Sequence, residues 1–205
     1  MKTKTIYLFL LAGILLISVT SCDWFKSDGG ENTDPDETIG KIDNYWKVSS
    51  SGYSNATLTI VDNDDGNVVA NIAYDGDNYE VEGKITDKGI YDYVYSNGDH
   101  SKPFTLVKFD ASVGDKWEFK VGNQTVVREV VKKSETDDTP YGFYYIKTID
   151  VKETVPEGIE VKNGESQVRQ IVWKFNHKFG FISATVTTVN GKIVTVSQYA
   201  TNANE

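Results

Sequence analysis

The chain of 205 residues has few of the side chains that catalytic and metal sites most often use. It contains one cysteine and two histidines, His100 and His177. A single cysteine excludes a disulfide within the chain. The sequence also lacks an H-E-x-x-H zinc motif, a G-x-S-x-G nucleophile motif and a phosphate-binding glycine loop. We therefore predict no catalytic residues, no metal site, no cofactor and no enzymatic activity.

A surplus of positive charge is also missing. The chain has 21 Lys and Arg against 30 Asp and Glu, which gives a formal net charge of −9. Because proteins that bind nucleic-acid phosphates neutralise them with Lys and Arg, we expect no nucleic-acid partner. The many acidic residues do leave one enzymatic alternative open, a small glycoside hydrolase built on a pair of carboxylates.

The longest apolar run lies at the N-terminus. Lys2 and Lys4 precede an apolar stretch over residues 6–17, and small residues then lead to Cys22. A basic start, an apolar centre and small residues at the end are typical of a secretory signal peptide, which we predict over residues 1–21. The apolar stretch is shorter than the ~20 residues that a helix needs to span a bilayer.

The four residues Val19-Thr20-Ser21-Cys22 resemble the lipobox of bacterial lipoproteins. The resemblance implies cleavage before Cys22 and acylation of that residue. Lipid at Cys22 would then anchor the protein in a membrane, which is its first expected partner. The resemblance also implies a place in the cell envelope. The acidic residues just after Cys22 resemble the export signals that place some lipoproteins on the outer surface, which favours the outer membrane with surface exposure. Residues 22–43 are rich in Asp, Glu and Gly, and this composition predicts a disordered acidic tether.

Residues 44–205 have the pattern of a β-domain. Turn-forming pairs such as Asn97-Gly98, Asn163-Gly164 and Asn190-Gly191 separate runs in which β-branched and aromatic residues alternate with polar ones. No segment after Cys22 has a sustained period of 3.6 residues. We predict an all-β fold, a meandering antiparallel β-sandwich or a partly closed β-barrel of about ten to twelve short strands.

The alternation also predicts which side chains face the core. Residues 79–85 place Tyr79 and Ile85 inward, residues 116–121 place Trp117 and Phe119 inward, and residues 171–175 place Ile171, Trp173 and Phe175 on one face. A two-residue turn at Asn190-Gly191 predicts a final hairpin in which Val186 pairs with Thr195.

The stretch Val113-Gly114-Asp115-Lys116-Trp117-Glu118-Phe119 is similar to a VGDxWxF/Y pattern of uncharacterised β-rich envelope lipoproteins. This resemblance implies a β-rich lipoprotein domain and transfers no active site. Together with the lipobox it favours a non-catalytic domain that binds or presents something at the cell envelope.

The aromatic residues are the main candidates for ligand binding. Alternation predicts that Tyr91, Tyr93 and Tyr95 share one face of one strand, and Tyr141 and Tyr144 belong to a second cluster. Exposed, these tyrosines would form a platform for a glycan or a surface for an envelope protein. The competing interpretation places them in the core with their hydroxyl groups at its rim.

A third interpretation uses the interior of the predicted barrel. A half-open barrel could carry an apolar small molecule or a lipid in a cavity lined by Trp117, Phe119, Trp173 and Phe175. The sequence alone leaves this carrier, the binding module and the hydrolase open as alternatives.

Overall fold

The computed structural model describes residues 39–50, 53–86, 88–96, 99–163 and 166–203. The predicted signal peptide, the lipobox with Cys22 and residues 22–38 of the predicted tether lie outside this part of the chain. The described residues form fifteen strands and no helix, so the predicted all-β fold is confirmed. Accordingly, no described helix is long and apolar enough to cross a membrane.

The strands follow one another with short connections. They are β1 (Tyr45–Ser50), β2 (Tyr53–Asp64), β3 (Asn67–Tyr74), β4 (Asp77–Thr86), β5 (Gly89–Asp92), β6 (Phe104–Lys108), β7 (Lys116–Val121), β8 (Gln124–Lys133), β9 (Thr139–Tyr141), β10 (Tyr144–Ile146), β11 (Ile149–Thr154), β12 (Lys162–Asn163), β13 (Ser166–Asn176), β14 (Gly180–Thr188) and β15 (Ile193–Thr201).

Twelve of these strands form one antiparallel path in the order β6-β5-β4-β3-β2-β1-β15-β14-β13-β11-β8-β7. Strand β12 adds to the start of β13, and β9 pairs with β10 in a separate hairpin. Strands β1 and β15 pair with each other, with Trp46 opposite Thr201, so the two ends of the domain meet in the middle of the sheet. The result is a meander that curls into a nearly closed barrel.

The barrel has a seam where the two end strands of the path, β6 and β7, approach each other without pairing as sheet neighbours. Side chains fill this seam from inside. The rings of Phe104 on β6 and Phe119 on β7 lie 5.3 Å apart between centroids. Side-chain packing therefore closes the barrel at the one place where the hydrogen-bond ladder is interrupted.

A single hydrophobic core fills the interior, with Trp46, Phe175 and Phe181 fully buried within it. The predicted inward faces are confirmed. On β4, Ile85 is buried and Tyr79 packs against the core, while Trp117 and Phe119 on β7 pack against it from the seam. Lys and Glu residues alternate with them on the exposed face of β7.

The last hairpin has a different register from the predicted one. Val186 pairs with Val194 rather than with Thr195, and Thr195 pairs with Thr185. The loop has three residues instead of two, because the Thr188 N–H donates to the Lys192 carbonyl and Gly191 takes a positive φ of 81°. A three-residue loop of this kind shifts the register by one residue. Val186 and Val194 are consequently both buried, and Thr185 and Thr195 both lie outside.

The N-terminal segment packs on one end of the barrel, which we call the proximal end. Ile39 is completely buried, and the Asp43 N–H donates to the Ile60 carbonyl at 2.9 Å. At the same end, the Trp46 indole N–H donates to the Phe179 carbonyl in the turn between β13 and β14. The chain thus enters the barrel beside Phe179. Residues 39–43 fall within the predicted disordered tether, but they pack on the barrel instead.

Candidate functional site

The hairpin of β9 and β10 carries the most exposed aromatic side chains in the described part of the chain. Tyr141 and Tyr144 pair directly, which leaves Gly142 and Phe143 as a two-residue turn. Gly142 has a φ of 59°, as a type II′ turn requires at its first central position. Because paired residues lie on the same face of a hairpin, Tyr141 and Tyr144 point the same way and Phe143 forms the tip.

The face with Tyr141 and Tyr144 packs on the proximal end of the barrel. The Tyr141 ring stacks on Phe179 with a centroid distance of 4.7 Å, and Tyr144 lies 6.1 Å from the same ring. The Gln198 side-chain amide donates to the Tyr141 hydroxyl at 2.8 Å. Burial raises the pKa of Tyr141 to about 12, so this hydroxyl stays protonated at physiological pH. These contacts fix the hairpin in one orientation.

The hairpin nevertheless leaves much of its aromatic surface open to solvent, including part of Tyr144. Phe143 is fully exposed, Tyr145 is 61% exposed and Tyr144 is 52% exposed. We call Tyr141, Phe143, Tyr144 and Phe179 the aromatic hairpin surface; Tyr145 pairs with Pro140 and points to the opposite face of the hairpin. A group of large apolar side chains that are exposed to solvent is uncommon on a protein surface and often marks a binding site.

The other predicted tyrosines do not share a strand face. Strand β5 ends at Asp92, and only Tyr91 belongs to it, half-buried on the outer side. Tyr93 is 6% exposed, and its ring stacks on His100 at 4.7 Å. Tyr95 is 9% exposed and donates its hydroxyl to Glu153 at 2.5 Å. The expectation of a three-tyrosine row is therefore wrong, and Tyr93 and Tyr95 are mostly buried.

A buried ion cluster lies beneath Tyr95. Arg128 on β8 is 1% exposed and donates from Nε to Glu153 at 2.6 Å and from Nη2 to Asp92 at 2.7 Å. Its Nη1 donates to the carbonyls of Phe104 and Thr105 on β6. Arg128 therefore connects β5, β6, β8 and β11, and it holds the seam from inside.

The environment of the cluster raises the pKa values of both Asp92 and Arg128, for different reasons. Burial raises the pKa of Asp92, although the Arg128 charge works against the shift. Burial alone would lower the pKa of Arg128, but the Asp92 and Glu153 carboxylates outweigh it and raise that pKa. Both carboxylates are almost inaccessible to solvent, at 4% and 2% exposed. The cluster can thus join strands but has no open face for a ligand.

The two histidines have different surroundings. His100 Nε2 lies 2.6 Å from a Glu82 carboxylate oxygen, while the neighbouring Ser101 hydroxyl donates to Asp99 instead. Burial lowers the pKa of His177 to about 4, with a smaller contribution from nearby lysines. Among the described residues, no group of three or more His, Cys, Asp or Glu side chains is placed to hold a metal ion.

The four residues of the predicted carrier cavity belong to the packed core. Phe175 and Trp173 are buried, and Trp117 and Phe119 pack against the same cluster from β7. The comparisons with known proteins add no further candidate. No protein-family model, no curated protein and no solved structure matches this chain.

Proposed function

We propose that this protein is a lipid-anchored lipoprotein of the cell envelope whose β-domain is a non-catalytic glycan-binding module. The aromatic hairpin surface is its binding site, and lipid at Cys22 is its anchor. The observation that carries the proposal is the exposure of Phe143 and Tyr144 on a hairpin that the contacts of Tyr141 hold against the barrel.

The chemistry of the surface suits sugars. Aromatic rings offer flat apolar faces to the C–H faces of a sugar ring, and tyrosine adds a hydroxyl that donates and accepts hydrogen bonds. The Gln198 bond and the Phe179 stack hold Tyr141 in place before any ligand arrives. Preorganisation of this kind lowers the entropic cost of binding.

The anchor rests on the lipobox resemblance and on the single cysteine. Each buried methylene of an acyl chain contributes ~0.8 kcal/mol to membrane binding, so several chains on one residue hold a protein firmly. An outer-membrane position with the domain at the cell surface would bring the aromatic hairpin surface within reach of envelope glycans.

Glycan binding is tested with purified full-length protein in detergent and a panel of β-glucan, chitooligosaccharide, α-mannan and peptidoglycan fragments. We expect one class to bind, and we expect the double variant Phe143→Ala, Tyr144→Ala to bind it about tenfold more weakly or worse, a loss of ~1.4 kcal/mol or more. Tyr91→Ala is the matched control, since it removes a half-buried tyrosine elsewhere on the barrel. Undiminished binding by the double variant would contradict the assignment of the site.

The anchor is tested separately with labelled fatty acid in producing cells. We expect the wild type to incorporate the label and Cys22→Ser to lose it and leave the membrane fraction. Protease treatment of intact cells then reports on which side of the membrane the domain lies. A labelled Cys22→Ser variant would show that acylation occurs elsewhere.

A further inference from the structure

The two ends of the barrel carry different features. The N-terminal segment, the turn with Phe179 and the hairpin of β9 and β10 all lie at the proximal end. The turns at Asp75-Gly76, Gly122-Asn123 and Asn190-Gly191 lie at the opposite end, which we call the distal end. The aromatic hairpin surface therefore shares its end of the barrel with the entry of the chain.

The entry point of the chain and the hairpin surface are also close to each other. The Asn63 side-chain amide donates to the Gly40 carbonyl at 2.7 Å, which places Gly40 beside the end of β2. Phe179 directly precedes β14, and β1 and β15 are the strands between β2 and β14. Three strand spacings of ~4.8 Å make a separation of about 14 Å across the sheet. The hairpin surface thus lies on the part of the domain that is nearest to its N-terminal attachment.

The chain between the predicted anchor and the barrel is short. Residues 22–38, which lie outside the described part of the chain, number seventeen by their numbers. As the disordered coil that their composition predicts, they would span roughly 23 Å. The ten residues of a strand such as β4 extend ~33 Å. The proximal end can therefore reach the bilayer, whereas the distal turns lie a further barrel length from the attachment.

We propose that the glycan bound by the aromatic hairpin surface is the sugar headgroup of a lipid in the membrane that anchors the protein. The inference rests on the proposed function and narrows its ligand from glycans in general to glycolipids. Of the two ends of the barrel, the one with the exposed rings is the one that the tether keeps beside the headgroups. A site for a polysaccharide outside the membrane would be more accessible at the distal end.

The exposed side chains of the hairpin tip suit a headgroup at a bilayer surface. Phe143 is fully exposed, and its side chain has no hydrogen-bonding group. Such a ring gains free energy when it enters the boundary between headgroups and acyl chains. Tyr144 beside it is 52% exposed and offers a hydroxyl that donates and accepts hydrogen bonds. The tip thus presents one ring to the apolar edge of the bilayer and one to the sugar above it.

Two cations lie beside the hairpin surface. Lys147 directly follows β10, and Lys178 is exposed in the turn between β13 and β14. Besides burial, both lysines lower the pKa of His177, so they lie near the same ring. The acidic residue before β9, Asp138, accepts a hydrogen bond from the Ser134 hydroxyl at 2.6 Å instead. Membrane lipids carry phosphate groups, and cations near the sugar site are complementary to them.

The small size of the surface favours a ligand that is held in the same membrane. Of its four rings, those of Phe143 and Tyr144 are more than half exposed, and the other two are partly buried. A contact of two rings is weak on its own, but linkage of both partners to one surface raises binding by about 10²–10⁴ without any new contact. A soluble fragment of the same sugar has no such gain. The site should therefore bind displayed headgroups far better than soluble sugar.

The test uses the full-length acylated protein, reconstituted in phosphatidylcholine vesicles that contain a lipid with a quencher on its headgroup. A fluorophore is attached at Tyr145→Cys, because this side chain points away from Tyr144 and leaves the surface intact. Synthetic lipids with glucosyl, mannosyl or chitobiosyl headgroups are then added to the vesicles. We expect one of them to increase the quenching, and the soluble sugar to reverse it only at ~100-fold or higher bulk concentration. A fluorophore at Asn123→Cys in a distal turn is the matched control, and its quenching should not change.

The results that would overturn the inference differ in what they mean for the proposed function. Equal quenching in vesicles without a sugar headgroup would show contact with the bilayer alone. A soluble sugar that binds as well as its displayed form would leave the glycan site in place and remove the membrane as its source. No binding of either form would overturn both proposals. The double variant Phe143→Ala, Tyr144→Ala should abolish the increase, and an increase that it leaves unchanged would arise at another surface.

Discussion

Removal of the Arg128 charge should destabilise this fold more than the loss of any exposed ion pair. Arg128 is buried and contacts Asp92, Glu153 and the carbonyls of Phe104 and Thr105. Its guanidinium also lies 4.0 Å above the Phe104 ring. The contacts with Asp92, Phe104 and Thr105 join β8 to β5 and β6 across the seam, whereas Glu153 is the cross-strand neighbour of Arg128 on β11.

The magnitude follows from what the variant Arg128→Met leaves behind. Arg128 is the cation in both of these ion pairs. Without it, the carboxylates of Asp92 and Glu153 would stay buried with no positive charge from this side chain beside them. Loss of one partner of a buried ion pair costs ~3–5 kcal/mol, because the other charge stays buried. Total stabilities of single domains are only ~5–15 kcal/mol. The variant should therefore lose between about a fifth and all of the stability of the domain.

Urea denaturation followed by tryptophan fluorescence measures the loss. Lys102→Met is the control, since solvent screens the exposed Lys102–Asp99 pair and its loss should change stability little. Replacement of the whole cluster, as Arg128→Met with Asp92→Asn and Glu153→Gln, should recover part of the stability, because no unpaired charge then remains inside. A loss below ~1 kcal/mol for Arg128→Met would refute the role of the cluster in closing the seam.

Three further predictions follow from single residues. His177 has a folded-state pKa of about 4 against an ordinary 6.5, so the unfolded chain binds its proton first. Stability should be full above pH 6.5 and fall towards pH 4, by at most about 3 kcal/mol, and His177→Asn should flatten this part of a pH–stability curve. Gly66→Ala should cost more than Gly76→Ala in urea denaturation. Both glycines have a positive φ, but a Cβ at Gly66 would lie 2.2 Å from the Ile85 carbonyl oxygen and one at Gly76 would meet nothing within 4 Å; equal losses would contradict this reason. Tyr141→Phe should remove a phenol that titrates near pH 12 from the ultraviolet spectrum, and an unchanged titration there would show that Tyr141 is not the perturbed group.

The strand faces could be predicted from sequence because each is a property of one strand. Alternation along β4, β7 and β13 is enough to separate inward from outward side chains. The same rule failed after Asp92, where the chain leaves the strand. The Asp92 carboxylate accepts from the Val94 N–H at 3.1 Å, a side-chain turn that ends β5 before Tyr93. The aspartate in the middle of the tyrosines was the signal for that turn.

The last hairpin shows a second limit of the sequence. The pair Asn190-Gly191 is compatible with a two-residue or a three-residue loop, and the choice shifts every pair by one residue. The observed register buries Val186 and Val194 together, whereas the predicted one pairs Val186 with an outward threonine. The local turn preferences of Asn190-Gly191 do not distinguish a two-residue from a three-residue loop. The burial of Val186 and Val194 in the core selects the three-residue loop.

The ion cluster could be predicted only in part. Arg128 alternates with the buried Val126 and Val130, so its inward direction is readable from the sequence. Asp92 lies 36 residues before Arg128, by difference of their numbers, and approaches it only because the barrel closes. Glu153 is brought to Arg128 by the direct pairing of β8 with β11. Contacts set by closure cannot be derived from the alternation of any one strand.

Two features depart from what an all-β fold needs, and they differ in their expected effect on stability. The Arg128 cluster is buried and joins strands, so its loss should destabilise the barrel. Phe143 is fully exposed and contributes nothing to the core. Its substitution should leave the urea midpoint unchanged while it weakens binding. Residues that break the folding rules without contributing to stability are the ones whose presence requires a functional reason.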